Sequence, residues 1–272
     1  MSTSPEAAGD VMSLECAQLL ARRMLAGGAA CSVVAWRLDS QYDFVAHGLT
    51  ENGALVVALR PDGDCPLSAM PAGHGVMVRL DLIRHSHEVM LSAIAASVHL
   101  LGELVLLPGV DVASLLAEGQ LPERVAELAQ VPGTRVGVVE ADRLLIHDHG
   151  GVTPLSWDEV MAAPPNPLQD DFAAHAVVAE LGIDALRQVC RAVSGGVLPG
   201  RATIRPNTVG ICNHLLGQVF CIDVNPAGVT LMHINEQETA TVFAGFEDRP
   251  ASLPALSAEL ERLVSGSGPV RP

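Results

Sequence analysis

Apolar residues first recur at helical spacing, in SLECAQLLARRMLAGG (13–28). Its leucines and Met24 share one side, Ser13 is a candidate cap, and Gly27-Gly28 provides a stop. Past the glycines the pattern shortens to runs of strand character: ACSVVAWRL, DFVAHGL, ALVVALR, GVMVRLDLI and the long AIAASVHLLGELVLL. Turn chemistry separates several of them, in ENG (51–53), PDGD (61–64) and PAGHG (71–75). Closely spaced strands without strand–helix alternation predict an antiparallel barrel rather than a doubly wound sheet. Helical spacing returns over Val110–Gln130, two more strands follow in TRVGVVEA and RLLIHDH, and SWDEVMAA is a short helix opened by Ser156.

APPNPL (163–168) is the clearest break in the chain, since prolines at 164, 165 and 167 exclude helix and stiffen the join. Beyond it the pattern restarts. DDFAAHAVVAELGIDALRQVCRAVSGG reads as one or two helices with acids at the start, RATIRPNTVG through VFAGF as strands turned by NPAG and NEQE, and SLPALSAELERLV as a closing amphipathic helix. The expected organisation is α+β: an antiparallel barrel over 1–163, a proline-rich linker at 164–167 and a small α+β domain over 168–265.

Composition narrows the function. Net charge is −15, all 16 basic residues are arginine, and aromatic residues are 3% of the chain. The absence of lysine excludes Schiff-base catalysis and a P-loop lysine. An acidic chain with few stacking rings argues against nucleic acid as a partner. The longest apolar stretch, Ala93–Leu107, is interrupted by Ser97, His99, Gly102 and Glu103 and falls short of the ~20 residues that span a bilayer. MSTSPEAAGD carries acids where a signal peptide needs positive charge. These features predict a cytoplasmic protein that does not enter the membrane. Six cysteines, at 16, 31, 65, 190, 212 and 221, form no CxxC, which argues against a zinc ribbon or a thioredoxin motif.

The candidate chemistry lies in histidine and arginine. RHSHEVM places His85 and His87 two apart, and IHDHGG does the same for His147 and His149, with Asp148 between them. On a strand, residues two apart share a face, so each pair could offer two imidazoles to a metal or a haem. No glutamate stands at cupin spacing after either pair: Glu88 adjoins His87, and no acid follows His149 at the needed distance. HEXXH, GxSxG and GxGxxG are absent. Arg79 and Arg84 flank the fourth strand run, and Arg37 and Arg60 end two others, where guanidinium forks could grip a flavin phosphate. His175 and His233 complete the set of axial-ligand candidates.

The junction adds a resemblance. HDHGGVTPL, SWDEVMAA and PPNPL leading into a helix with His175 resemble the point where a pyridoxamine-phosphate-oxidase-like split barrel passes into the small α+β domain of haem-utilisation proteins, an architecture shared by glutamyl-tRNA reductase-binding proteins. The stretch IDVNPAGVTLMHINEQETATVFAGFEDRPASLPALSAELERLV is similar to that domain's ending. Two features depart from the family. Its polar His-Met-Asn-x-Asp-His signature is reduced to His175 in FAAHAVVAELG, and SGSGPVRP has no counterpart to a histidine-bearing tail. The resemblance implies a homodimer formed through the barrel with a small planar ligand at the seam. The reading is a haem-binding protein of haem trafficking or oxidative haem breakdown. His147 or His149 would hold the iron, with Asp148 behind, and His85 and His87 come next. The alternatives are an FMN-dependent oxidoreductase with Arg79 and Arg84 on the phosphate, or a non-enzymatic dimeric regulator with a protein partner.

Overall fold

The computed structural model describes residues 5–207 and 210–268, without the side chains of 5–13 and Phe44. The parts of MSTSPEAAGD and SGSGPVRP that fall at 1–4 and 269–272 lie outside the described residues, as do Thr208 and Val209 in the stretch read as strand. The described residues divide into two compact units: one comprises 17–84 and 96–164, the other 5–16, 85–95, 165–207 and 210–268. The class is α+β, as the pattern predicted.

The first unit is an antiparallel barrel. Its strands are β1 (Ala30–Ala35), β2 (Ser40–Leu49), β3 (Leu55–Leu59), β4 (Gly75–His85), β5 (Ile94–Leu106) and β6 (Arg135–Glu140), in the order β4-β1-β2-β3-β6-β5, and β4–β5 pairing closes the ring. Helix α1 (Pro5–Leu25) precedes β1, and from Ala17 onward it belongs to this unit. Ser13 therefore lies inside α1 and is not its cap, because the chain is already helical at Pro5. The short α2 (Pro66–Ala69) stands between β3 and β4. α3 (Gly109–Ala117) and α4 (Glu123–Ala129) stand between β5 and β6.

Strand alternation fixes what the barrel buries. Val78, Leu80 and Leu82 of β4, and Val98, Leu100, Leu104 and Leu106 of β5, point inward and pack with Leu20, Met24 and Leu25 of α1. The run LVVAL of β3 is buried throughout because both of its faces are covered. Leu55, Val57 and Leu59 face the interior, while Val56 and Ala58 lie in a second cluster with Leu121 and Val125.

Two strands continue the sheet, β7 (Arg143–Asp148) and β8 (Gly151–Ser156). The registers Leu104↔Val139 and Val98↔Ile146 place β6 and β7 in line along one edge of β5, with a break at Ala141–Asp142. Gly102 sits at that break, where a Cβ would stand 2.5 Å from the Glu140 carbonyl oxygen and 3.2 Å from Ala141 Cβ. α5 (Trp157–Ala162) closes the unit. Ser156 caps it by accepting from Glu159 N while the Glu159 carboxylate accepts from Ser156 N.

In the second unit α6 (Asp171–Ala179) and α7 (Ile183–Ser194) lead into β9 (Gly200–Pro206), β10 (Val219–Asn225), β11 (Gly228–Ile234) and β12 (Glu238–Gly245), followed by α8 (Leu253–Gly266). The sheet runs β10-β11-β12-β9, all antiparallel. Leu231 and Val242 pack with Val178, Val189, Leu256 and Leu260 of the helices. Phe220 and Ile222 of β10 instead meet Leu91, Ala93 and Ala95, so this strand is also buried on both sides. Among the described residues, no helix is long and apolar enough to cross a membrane.

Candidate functional site

The strands of the barrel unit gather one polar cluster on the outer wall. On β4, the outward residues Arg79 and Asp81 are neighbours on one face, and Arg79 Nε donates to Asp81 Oδ2 at 2.9 Å. The other carboxylate oxygen, Oδ1, lies 2.6 Å from Nδ1 of His99 on β5. A carboxylate only accepts, so Nδ1 carries a proton, and the uncharged form of the ring has its lone pair on Nε2. His147 of β7 meets the His99 ring edge-on, with centroids 5.2 Å apart and planes at 90°.

Apolar side chains border these imidazoles. Leu145 is directly opposite His99, and Val152 of β8 is directly opposite His147. Leu101 follows two residues after His99 on the same face. Leu101 is 60% exposed, Val152 57% and Leu145 44%. Four adjacent strands at ~4.8 Å spacing make a strip about 14 Å across, with two imidazoles at its middle and aliphatic groups around them.

The second unit holds another histidine cluster. His87 and Glu88 come from the 85–95 segment, and Asp171, Phe172 and His175 from α6. Glu88 Oε1 accepts from Cys221 N at 2.7 Å and lies 3.3 Å from His175 Nε2. His87 Nε2 is 3.7 Å from Asp171 Oδ2, and its ring lies 4.4 Å from that of Phe172. The carboxylates here meet both rings through Nε2, which leaves Nδ1, the nitrogen nearest the backbone, as the other position.

Several sequence expectations are placed differently. The His-x-His pairs do not share strand faces, because each straddles a strand end. β4 ends at His85, leaving His87 in the following loop, and β7 ends at Asp148, leaving His149 in the turn. Asp148 is committed to that turn: its Oδ1 accepts from Gly150 N at 2.6 Å and from Gly151 N at 3.1 Å. A metal at His147 and His149 finds no third ligand, since among the described residues no group of three or more His, Cys, Asp or Glu side chains is set to hold an ion. The proposed flavin clamp is split as well. Arg79 faces outward, but Arg84 is an odd number of residues away, only 5% exposed, and donates to the Gly28 carbonyl at 2.9 Å.

Two groups that sequence reasoning passed over stand out. His99 interrupts an apolar run with no motif around it, and Asp81 stands within a strand run. A third, Cys65, meets the hydroxyl of Tyr42. Burial would raise its thiol, but hydrogen bonding with Tyr42, the Leu67 backbone, Ser40 and the Ser68 backbone outweighs it and holds the thiol below the usual cysteine range. Cys31 and Cys190, by contrast, are pushed up to about 12 by burial.

A closed antiparallel barrel carrying an outward histidine–carboxylate cluster, joined to a helix-covered four-stranded sheet, defines the class of the molecule. No family model matches the chain, and no curated protein matches it in sequence. Among solved structures the chain is similar to a heme binding protein from Mycobacterium smegmatis, at 19% identity and a TM-score of 0.52, covering 92% of this chain and 97% of that one. It is more distantly similar to a protein of unknown function from Agrobacterium tumefaciens, at 13% identity and a TM-score of 0.35, covering 96% and 98% of the two chains. The first likeness is one of fold.

Proposed function

We propose that this protein binds haem on the outer wall of its barrel and serves haem trafficking or oxidative haem breakdown. The observation that carries the reading is the imidazole pair His99 and His147 set among the exposed Leu101, Leu145 and Val152. An axial haem site needs a neutral imidazole nitrogen, a group that orients the ring, and apolar side chains against the macrocycle. The donor set on β4, β5, β7 and β8 fits all three. The fold likeness to a protein described as heme binding supports the same reading.

When bound, haem would supply an iron centre for dioxygen chemistry or be carried as cargo. The chain's own part is to bind and orient: Leu101, Leu145 and Val152 exclude water from the macrocycle face, and Asp81 fixes the His99 ring. A homodimer through the barrel belongs to this reading, because the same apolar strip would be covered by a second copy with the ligand at the seam.

Titrating the purified protein with haemin tests the proposal. The expected result is a shifted Soret band that saturates at a fixed stoichiometric ratio. An unchanged free-haemin spectrum would remove the reading. Adding a reductant and oxygen to the complex then separates the two roles: loss of the Soret band indicates breakdown, and persistence indicates trafficking.

A further inference from the structure

We propose that His99 is the residue that ligates the haem iron, through Nε2, and that Asp81 is its positioning residue. The inference rests on the haem reading above and names the ligand within it. Four of the chain's ten imidazoles, His47, His87, His99 and His175, differ in which ring nitrogen meets a protein oxygen. The Nε2 atom of His47 is 2.8 Å from the Met24 carbonyl oxygen, and the ring is buried. The Nε2 atoms of His87 and His175 face carboxylates at 3.7 and 3.3 Å. In those rings the outermost nitrogen is already turned toward a protein group. His99 has the reverse arrangement. Its carboxylate partner takes Nδ1 at 2.6 Å, which leaves the outermost nitrogen as the lone-pair donor on a side chain 38% exposed.

Three consequences follow from that polarity. Asp81 fixes the Nδ1–H tautomer, and by accepting that proton's hydrogen bond it raises the electron density on Nε2. Arg79 shares the same carboxylate through Oδ2, so it moderates this effect and is not a phosphate clamp. His147 packs edge-on against the ring and limits its rotation, without itself being the ligand.

The test has an arm that needs no haem. Nitrogen-15 NMR of the ligand-free protein above pH 8 should find His99 in the Nδ1–H form. Asp81→Asn should move it toward the mixture of tautomers seen in a free imidazole. His99 already in the Nε2–H form in the wild type would overturn the proposal, whatever the outcome with haem.

The second arm uses haemin titrations of folded variants, checked by circular dichroism. His99→Ala should lose the imidazole–iron spectrum, and added imidazole should restore it. His147→Ala should keep that spectrum. Asp81→Asn should bind about 10–100-fold more weakly, the usual cost of removing a group that orients a metal ligand. Wild-type protein that binds haemin while His99→Ala binds it with the same spectrum and affinity would overturn the assignment and leave the haem reading standing. Wild-type protein that does not bind haemin at all overturns the haem reading itself.

Discussion

At the scale of single residues, the informative histidines are those whose surroundings fix a protonation state. His47 is the clearest. Burial, and then Arg124, hold it below the ordinary imidazole range against the opposing hydrogen bond to Met24 O. The folded ring therefore takes up its proton at a lower pH than the unfolded chain, which does so as pH falls through roughly 6.5. In that window the unfolded state binds more protons, so stability is fully present above it and is lost as pH falls. His47→Gln keeps a donor for Met24 O but cannot titrate. Urea unfolding between pH 8 and 5 should show the wild type losing up to about 1.4 kcal/mol per pH unit from this group, with that increment absent in the variant. Equal slopes would contradict the assignment. His233 is likewise held below the ordinary imidazole range, by burial and then by Arg187 and Arg191, against the opposing Glu238. Much of this scale could not be read from sequence. The Asp81–His99 contact joins two strands and depends on their register, which alternation alone does not set. The opposite faces of Arg79 and Arg84, in contrast, were legible in their odd spacing within one strand run.

At the scale of elements, alternation and turn chemistry carried the fold. The runs before the proline-rich segment contain strands, and after it RATIRP, VFCIDVN, GVTLMHI and ETATVFAG do, whereas 210–218, also read as strand, is loop with a 3-10 turn at Asn213–Leu215. Ser156 opens and caps α5 as read. Ser13 has the residue type of a helix cap, but the residues before it are helical as well and α1 begins at Pro5. The relation of β6 to β7 was not legible. TRVGVVEA and RLLIHDH read as two strands, but nothing local says that both lie along one edge of β5. The signature of that arrangement is Gly102, opposite the break between them. A methyl group there would meet the Glu140 carbonyl, Val139 Cγ1 and Ala141 Cβ at 2.5, 3.1 and 3.2 Å. Gly102→Ala should therefore cost about 1–3 kcal/mol, the usual range for overpacking, read from the urea midpoint. A variant as stable as the wild type would mean that the β5 edge is less closely packed than described. Because Gly102 lies three residues from His99 on β5, and Leu145 of β7 stands opposite His99, the same variant should also weaken haemin binding.

At the scale of the whole molecule, a strip of exposed aliphatic and imidazole groups on an acidic chain is the feature on which the haem proposal stands. Leu101, Leu145 and Val152 are exposed around an oriented imidazole, and exposed apolar groups gathered together on a folded protein mark sites of interaction. The account predicts a homodimer with its seam on this wall, and sedimentation at micromolar concentration should give twice the chain mass; a monomer would remove the seam. The central claim is the location of the ligand, and amide chemical-shift mapping with diamagnetic gallium protoporphyrin tests it most directly. The predicted result is a set of perturbed amides centred on Asp81, Ser97, His99, Leu101, Leu145, His147 and Val152. Perturbations centred instead on His87 and His175, or spread without a focus, would contradict the account.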